Sequence, residues 1–452
     1  MSEHWQTLES NLRSRIDGCR MHRRKGKLKA VHGMVLEATG LEATLGELAD
    51  VYSSQDKKIV TAEVVGLRDE RTLLMPHGPV EGLSLSGYIV ARGEAFRVPV
   101  GDGLLGRVLD ARCEPLDDLG PVSPDEYSPL ISTPINPLHR DPIDHQLNTG
   151  VTAVDLFTPL GRGQRVGIFA GSGVGKSTLL GMMSKGTNAD VVVIALIGER
   201  GREVGDFIRD SLGTEGLRNA VVIAAAAEQP AVLRRQAAYT ATTVAEWFRA
   251  TGKHVLLIMD SVTRFALAQR EIGLATGEPM GSRGYPPSVF SLLPPLMERA
   301  GLLRGEGSIT GVYTVLVEGD DLNEPVSDNM RAILDGHIVL DRYIASKGRW
   351  PAVDLLNSIS RLAGALRSPA EKQAIDTLLA ALGQYADSED LINLGAYEKG
   401  SNGVLDIMME LKPKLDQLIT QYPKDKIALD DCWQNIFRIA DRVGQVVNAR
   451  AA

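Results

Sequence analysis

The spacing of hydrophobic positions changes character several times along the chain. From about residue 26 to 98 the apolar runs are short and broken by glycines, at 31–36, 58–65, 72–75 and 88–90. Runs so closely spaced predict a small β-barrel or sandwich, a module that serves as a structural collar. Residues 99–150 carry Pro115, Pro121, Pro124, Pro129, Pro134, Pro137 and Pro142 and read as an ordered, extended connection rather than a core element. Apolar runs at 165–170, 190–197, 219–227, 254–259, 309–317 and 337–340 follow, separated by helix-like segments. That is the pattern of a parallel sheet covered by helices. Beyond about 365 the period is helical: Leu378, Leu379 and Leu382, then Val404, Ile407, Met408 and Leu411, then Ile436, Ile439 and Val443 form apolar faces that make a bundle. At the other end, Trp5, Leu8, Leu12 and Ile16 fall at helical spacing beside a basic cluster of Arg20, Arg23, Arg24, Lys25, Lys27 and Lys29. This predicts either an amphipathic helix that docks a partner or an anionic bilayer, or a frayed terminal helix. The expected division is a helical segment over 1–25, a β-barrel over 26–98, a parallel-sheet α/β domain with its connection over 99–365, and a helical domain over 366–452.

Composition narrows the classes. A chain of 452 residues is too long for one compact core, and 44% apolar with 23% charged residues is ordinary for a soluble protein. The net charge of −8 argues against a dedicated nucleic-acid binder. Cys19, Cys113 and Cys432 are scattered and the eight histidines show no ligand spacing, which fits a reducing compartment and neither a disulfide framework nor a metal site built on them. No apolar run is long enough to span a bilayer and no signal-peptide core is present, so the expected location is cytoplasmic unless a partner recruits the chain to a membrane.

The chemistry-bearing residues cluster where apolar runs end. Gly171-Ser172-Gly173-Val174-Gly175-Lys176-Ser177-Thr178 follows an apolar strand and opens a helix. Glycines at 171, 173 and 175 tolerate positive φ, so successive backbone N–H groups can converge on a phosphate. Lys176 then reaches the β- and γ-phosphates of a bound nucleotide and the Ser177 hydroxyl ligates Mg²⁺. The strict P-loop pattern has glycine where Ala170 stands. Asp260 ends a second apolar run, as does the acid that orders Mg²⁺ in such sites. Hydrolysis also needs a carboxylate to polarise the attacking water, and Glu199, Glu203 and Glu318 all lie just beyond strand ends; residue type alone leaves them equivalent. A cation beside the transferred phosphoryl group would come from Arg200, Arg264, Arg299 or Arg361. Trp350, before Pro351, either stacks on a base or packs. The expected fold is an α/β P-loop core with a parallel sheet, preceded by a small β-barrel and followed by an α-helical domain.

The P-loop stretch, together with Gly198-Glu199-Arg200-Gly201-Arg202-Glu203-Val204, Asp260-Ser261-Val262-Thr263-Arg264-Phe265-Ala266, Arg283-Gly284-Tyr285-Pro286-Pro287-Ser288-Val289, Ile333-Leu334-Asp335-Gly336-His337-Ile338-Val339-Leu340, Pro351-Ala352-Val353-Asp354 and Ser358-Ile359-Ser360-Arg361, resembles the ATPase family that includes rotary ATP synthase subunits and type III secretion ATPases. The resemblance covers nearly everything from about residue 26 and implies that the α/β P-loop core is a RecA-like ATPase core. Within it, Glu318-Gly319-Asp320-Asp321-Leu322-Asn323-Glu324-Pro325 and Leu391-Ile392-Asn393-Leu394-Gly395-Ala396-Tyr397 resemble the secretion branch, Ala170 agrees with that branch, and the acidic lever motif of the ATP synthase catalytic subunit is missing.

The resemblance implies ATP hydrolysis coupled to protein export through a type III secretion apparatus, flagellar in the first instance and injectisome as the alternative. It implies that Glu199 is the catalytic glutamate, that Arg200 and Arg264 contact phosphate, that Trp350 stacks on adenine, and that Arg361 is an arginine finger reaching a neighbouring subunit's site. Because one chain carries both a nucleotide site and a finger, a homohexamer is expected. By analogy, residues 1–25 bind a stator-like regulatory protein. The further partners implied are a central stalk protein, export-gate membrane proteins, and export substrates with their chaperones, at the inner face of the plasma membrane and with no nucleic acid. A Rho-like RNA translocase would need stacking aromatics in its front domain, and 26–98 holds only Tyr52, Tyr88 and Phe96. A non-catalytic ring subunit would lack the Glu199 carboxylate.

Overall fold

A computed structural model describes residues 25–452 apart from 318, 320, 426 and 452. All but Lys25 of the segment expected to form the N-terminal helix lies outside the described residues, as does Glu318. The described chain divides into two compact units, the first ending at Phe96 and taking in 275–277, the second holding the remainder.

The first unit is a closed barrel of β1 (Lys25–His32), β2 (Val35–Thr39), β3 (Glu47–Tyr52), β4 (Lys58–Arg68), β5 (Arg71–Pro76) and β6 (Tyr88–Ala95), in the order β1-β2-β5-β4-β3-β6. Alternate residues face inward, as a strand's two-residue period requires, and Leu28, Leu36, Ala49, Val51, Val64, Leu74 and Ile89 fill the interior. The apolar run at 31–36 is not one strand. Gly33, at φ +55°, turns the chain there, and His32 pairs with Val35 across the hairpin. β3 has no expected counterpart because its first residue is a glutamate. Glu47 is nonetheless buried, since its carboxylate accepts the N–H groups of Gly93 (2.6 Å) and Thr44 (2.9 Å).

The second unit is built on a sheet. Its strands are β7 (Val108–Leu109), β8 (Arg165–Ala170), β9 (Val191–Ile197), β10 (Ala220–Ala225), β11 (His254–Asp260), β12 (Ser308–Leu316), β13 (Gly336–Leu340) and β14 (Val353–Ser360), ordered β14-β13-β8-β12-β11-β9-β10-β7, with Gly301–Leu302 added beside β12. From β13 to β7 along this path all pairs are parallel, and β14 closes one edge antiparallel to β13. β9 and β10 are buried at every position, which is why they read as unbroken apolar runs. The expected plain connection over 99–150 is overturned in part. Val108 and Leu109 pair with Val222 and Ile223 and cover the free edge of β10, and both are buried. Beside them Arg107 grips Asp117 through two hydrogen bonds of 2.8 and 2.9 Å, and Asp117 also accepts the Val108 N–H at 2.9 Å.

Helices α1 (Lys176–Gly186), α2 (Ala231–Ala250) and α3 (Val262–Ala275) follow β8, β10 and β11. The chain ends in α4 (Pro369–Asn393), α5 (Gly403–Ile419) and α6 (Leu429–Ala451). α4 starts where it does because Ser368 and Glu371 form a reciprocal cap ahead of Pro369 at the first helical position. Ile375, Leu378, Met408, Leu411, Ile436 and Val443 belong to the same buried apolar cluster as Val166, Ile168 and Leu256 of the sheet, so these helices share its core. Among the described residues no helix is long and apolar enough to cross a membrane.

Candidate nucleotide site

Parallel strands deliver their carboxyl ends to one edge of a sheet. In the order β8-β12-β11-β9, that edge collects the turn after Ala170, the threonine near the end of β12, Asp260 and Glu199. Leu196 is level with Asp260 and Ala170 with Leu316, so the strands end together.

The turn after β8 has Gly173 at φ +80° and Gly175 at φ +84°, while Gly171 stays outside the left-handed region. Two glycines, not three, use their conformational freedom here. Nothing crowds Gly173, so backbone conformation alone demands glycine there. At Gly175 a β-carbon would also lie 2.8 Å from the indole ring of Trp350, which therefore rests against the P-loop. Val174 is buried, while Ser172, Ser177 and Thr178 are exposed on the open side of the turn and the first turn of α1.

Lys176 donates to Asp260 Oδ1 at 2.6 Å and lies 3.7 Å from Glu199 Oε1. Burial works against the ammonium, but the Asp260 and Glu199 carboxylates outweigh it and raise its pKa. Burial pushes the Glu199 carboxyl above the usual carboxylate range, with Lys176 opposing and Asp260 reinforcing the shift. Asp260 is 3% exposed and also accepts from the Thr314 hydroxyl at 2.6 Å. The sequence gives no reason to single out Thr314, since β12 also carries Ser308 and Thr310 among its apolar residues.

Gly198, at φ +67°, lets Arg264 come close, since a β-carbon there would sit 2.9 Å from Arg264 Cβ. Arg264 is half-buried and its Nε has no hydrogen-bond partner among the described residues. An orphaned buried guanidinium donor on the open edge of a sheet fits an anion. The other arginines lie elsewhere. Arg200 is 80% exposed and 3.5 Å from Glu203, outside the cluster. Arg299 is buried and occupied by Glu246, Thr243 and the Leu130 carbonyl. Arg361, just past β14, is exposed at a separate cavity of about 320 Å³ lined by Asp328, Arg331 and His337, and it donates to the Arg331 carbonyl at 3.2 Å. The geometry thus brings Lys176, Glu199, Asp260, Arg264 and Trp350 to the P-loop, and leaves Arg200 and Arg361 facing outward.

A glycine turn between a buried strand and a helix, with its lysine bound to an acid on a nearby parallel strand, defines a P-loop nucleoside triphosphatase core. Residues 150–360 match the nucleotide-binding domain of the ATP synthase alpha/beta family, and 367–438 match the T3SS EscN ATPase C-terminal domain. The chain is 48% identical to the flagellum-specific ATP synthase of Bacillus subtilis (strain 168), covering 91% of this chain and 94% of that one. It superimposes with a TM-score of 0.86 and 40% identity on the assembled ATPase EscN of the enteropathogenic E. coli type III secretion system, covering 92% of this chain and all of that one. A second EscN structure, in complex with its central stalk EscO, superimposes with a TM-score of 0.84 and 39% identity, again over 92% of this chain and 100% of that chain. The chain belongs to the type III secretion ATPase family, whose members include flagellum-specific enzymes, and it hydrolyses ATP in protein export.

Proposed function

We propose that this chain is the flagellar member of that family and that it cleaves magnesium-bound ATP with Glu199 as the group that orients the attacking water. The observation that carries the catalytic reading is the convergence of Asp260 and Glu199 on the Lys176 ammonium, at 2.6 and 3.7 Å, on the carboxyl edge of the sheet. In this reading the backbone N–H groups of 171–176 cradle the phosphates, with Ser172, Val174 and Thr178 lining the cradle, and Lys176 spans the β- and γ-groups. The Ser177 hydroxyl and the Asp260 carboxylate are hard oxygen donors that suit Mg²⁺, which when bound neutralises phosphate charge. Glu199, less acidic than a free glutamate because of its burial, accepts a hydrogen bond from water placed in line with the γ-phosphorus. The unpartnered Arg264 Nε is the donor in this chain best placed for charge developing on the transferred group. Arg200 serves from the surface side, and Trp350 offers its face to the adenine.

Arg361 is exposed and apart from its own P-loop, which suits a finger delivered to the neighbouring subunit of a homohexamer. EscN in complex with a central stalk supports a stalk partner for this chain as well. The flagellar branch is favoured by 48% identity to a flagellum-specific enzyme, against 44% to a type 3 secretion system ATPase. The remaining partners, namely a stator-like regulator at 1–25, the export gate, and substrates with their chaperones, place the ring in the cytoplasm at the inner membrane face. The deciding test is Glu199→Gln: hydrolysis is expected to fall roughly 10²–10⁴-fold with nucleotide affinity retained. A variant that still turns over at the parent rate would remove Glu199 from this role.

A further inference from the structure

Gln421, two residues past α5, is 3% exposed and its side-chain amide is fully engaged. Oε1 accepts from the Thr152 N–H (3.0 Å) and hydroxyl (3.2 Å), and Nε2 donates to the carbonyls of Gly150 (2.9 Å) and Asp425 (3.3 Å). That saturates the two acceptor and two donor positions of an amide. Its backbone N–H donates at 2.8 Å to the carbonyl of Trp350, the residue whose indole rests on Gly175. Gly150 in turn abuts the far end of α1: a β-carbon there would lie 2.6 Å from the Gly186 Cα. Gln421 therefore ties three segments together: the end of α5, the backbone at 150–152 that braces the P-loop helix, and the loop that carries Trp350.

We infer that Gln421 is a positioning residue for the nucleotide base. Its side chain fixes its backbone to the frame of α1, and its N–H fixes the Trp350 carbonyl, so the indole is held at a set height over the glycine turn. Two further ties join the loop to the helices, Lys347 to Glu389 of α4 (2.8 Å) and Arg349 to Asp416 of α5 (3.7 Å), but both involve longer, more exposed side chains. Among the described residues, Gln421 is the one whose hydrogen bonds reach the Trp350 backbone and the α1 frame together. A shift of α5 is thereby passed to the Trp350 carbonyl and to the base platform. The inference rests on the reading of Trp350 as the base platform.

The test compares two probes on the full-length protein, a magnesium-bound non-hydrolysable ATP analogue and inorganic tripolyphosphate, which has no base. Gln421→Met keeps the length of the side chain and removes all four of its hydrogen bonds. It is expected to weaken the analogue roughly tenfold, the scale of one lost base–aromatic stack, and to leave tripolyphosphate within about twofold. Gln421→Glu keeps the acceptor facing Thr152, removes the donor facing Gly150, and is expected to act in the same direction; whichever variant unfolds cooperatively decides the matter. Equal weakening of both probes, or of neither, while Trp350→Ala selectively weakens the analogue, overturns the positioning role alone. A Trp350→Ala variant that binds both probes as the parent does overturns the base-platform reading and this inference with it.

Discussion

Lys176 Nζ and Asp260 Oδ1 meet at 2.6 Å across 84 residues of sequence, with the Asp260 side chain 4% exposed and that of Lys176 15%. Asp260→Asn keeps an acceptor for the Thr314 hydroxyl and removes the charge that offsets the buried ammonium. Breaking such a pair typically costs about 3–5 kcal/mol, and Glu199 remains close enough to offset part of that. The expected loss in urea unfolding is therefore roughly 1–3 kcal/mol at unchanged m-value. Hydrolysis is expected to fall at least roughly 100-fold. Asp260→Ala should be the more destabilised of the two, because it also strands Thr314.

Gly175→Ala meets two obstacles, a left-handed backbone and the indole 2.8 Å from the new methyl. The backbone part costs about 1–2 kcal/mol, and removing the indole cannot relieve it. Nucleotide affinity should drop in Gly175→Ala. The double variant with Trp350→Ala should regain thermal stability relative to Gly175→Ala, while tripolyphosphate binding stays weak because the N–H cradle is still distorted. Equal melting temperatures for the single and double variants would show that the ring does not press on the turn.

Arg361→Ala and Lys176→Ala subunits, each inactive alone, should recover hydrolysis when mixed. Random association in a ring pairs an intact cradle with an intact finger at roughly a quarter of interfaces. Steady-state turnover of a 1:1 mixture should approach that fraction of the parent rate. No recovery in rings shown to be mixed would count against a finger acting between subunits.

The Arg107 guanidinium holds the Asp117 carboxyl down at about 2, against an ordinary 3.8, with help from the Val108 and Leu119 N–H groups. Because the folded-state value is depressed, this stabilisation is complete above about pH 4 and disappears as pH falls towards 2. Over that window the unfolded chain binds the extra proton, so stability rises with pH. Asp117→Asn should lower stability at neutral pH and flatten the acid limb of the unfolding free energy, measured by urea titration from pH 2 to 7.

Long-range order, rather than local pattern, is what stayed hidden in the sequence. The strands of the central sheet were legible because burial on both faces makes an unbroken apolar run, as at Val191–Ile197. β14 was not, because Leu356 and Ile359 are exposed on an edge and the run is mixed. The choice among Glu199, Glu203 and Glu318 could not be made on residue type. In the fold Glu199 alone of the two described ones stands 3.7 Å from Lys176, because β9 lies beside β11. Arg200 and Arg264 looked alike as cations near strand ends. One is exposed to solvent and the other is drawn in over Gly198, a difference set by a backbone angle that composition does not reveal.

β14 begins two residues after Pro351 and ends at Ser360, so one strand joins the residue carrying the indole to Arg361, and residues 355–358 bulge out of its pairing with β13 between Asp354 and Ile359. Its pairing with β13 anchors the two ends, Val353 and Asp354 at one and Ile359 and Ser360 at the other. On the proposed reading of Trp350 as base platform and Arg361 as finger, the anchored ends of this strand would serve the nucleotides of two different protomers. Occupancy in one protomer would then bear on its neighbour through the two anchored ends of a single bulged strand.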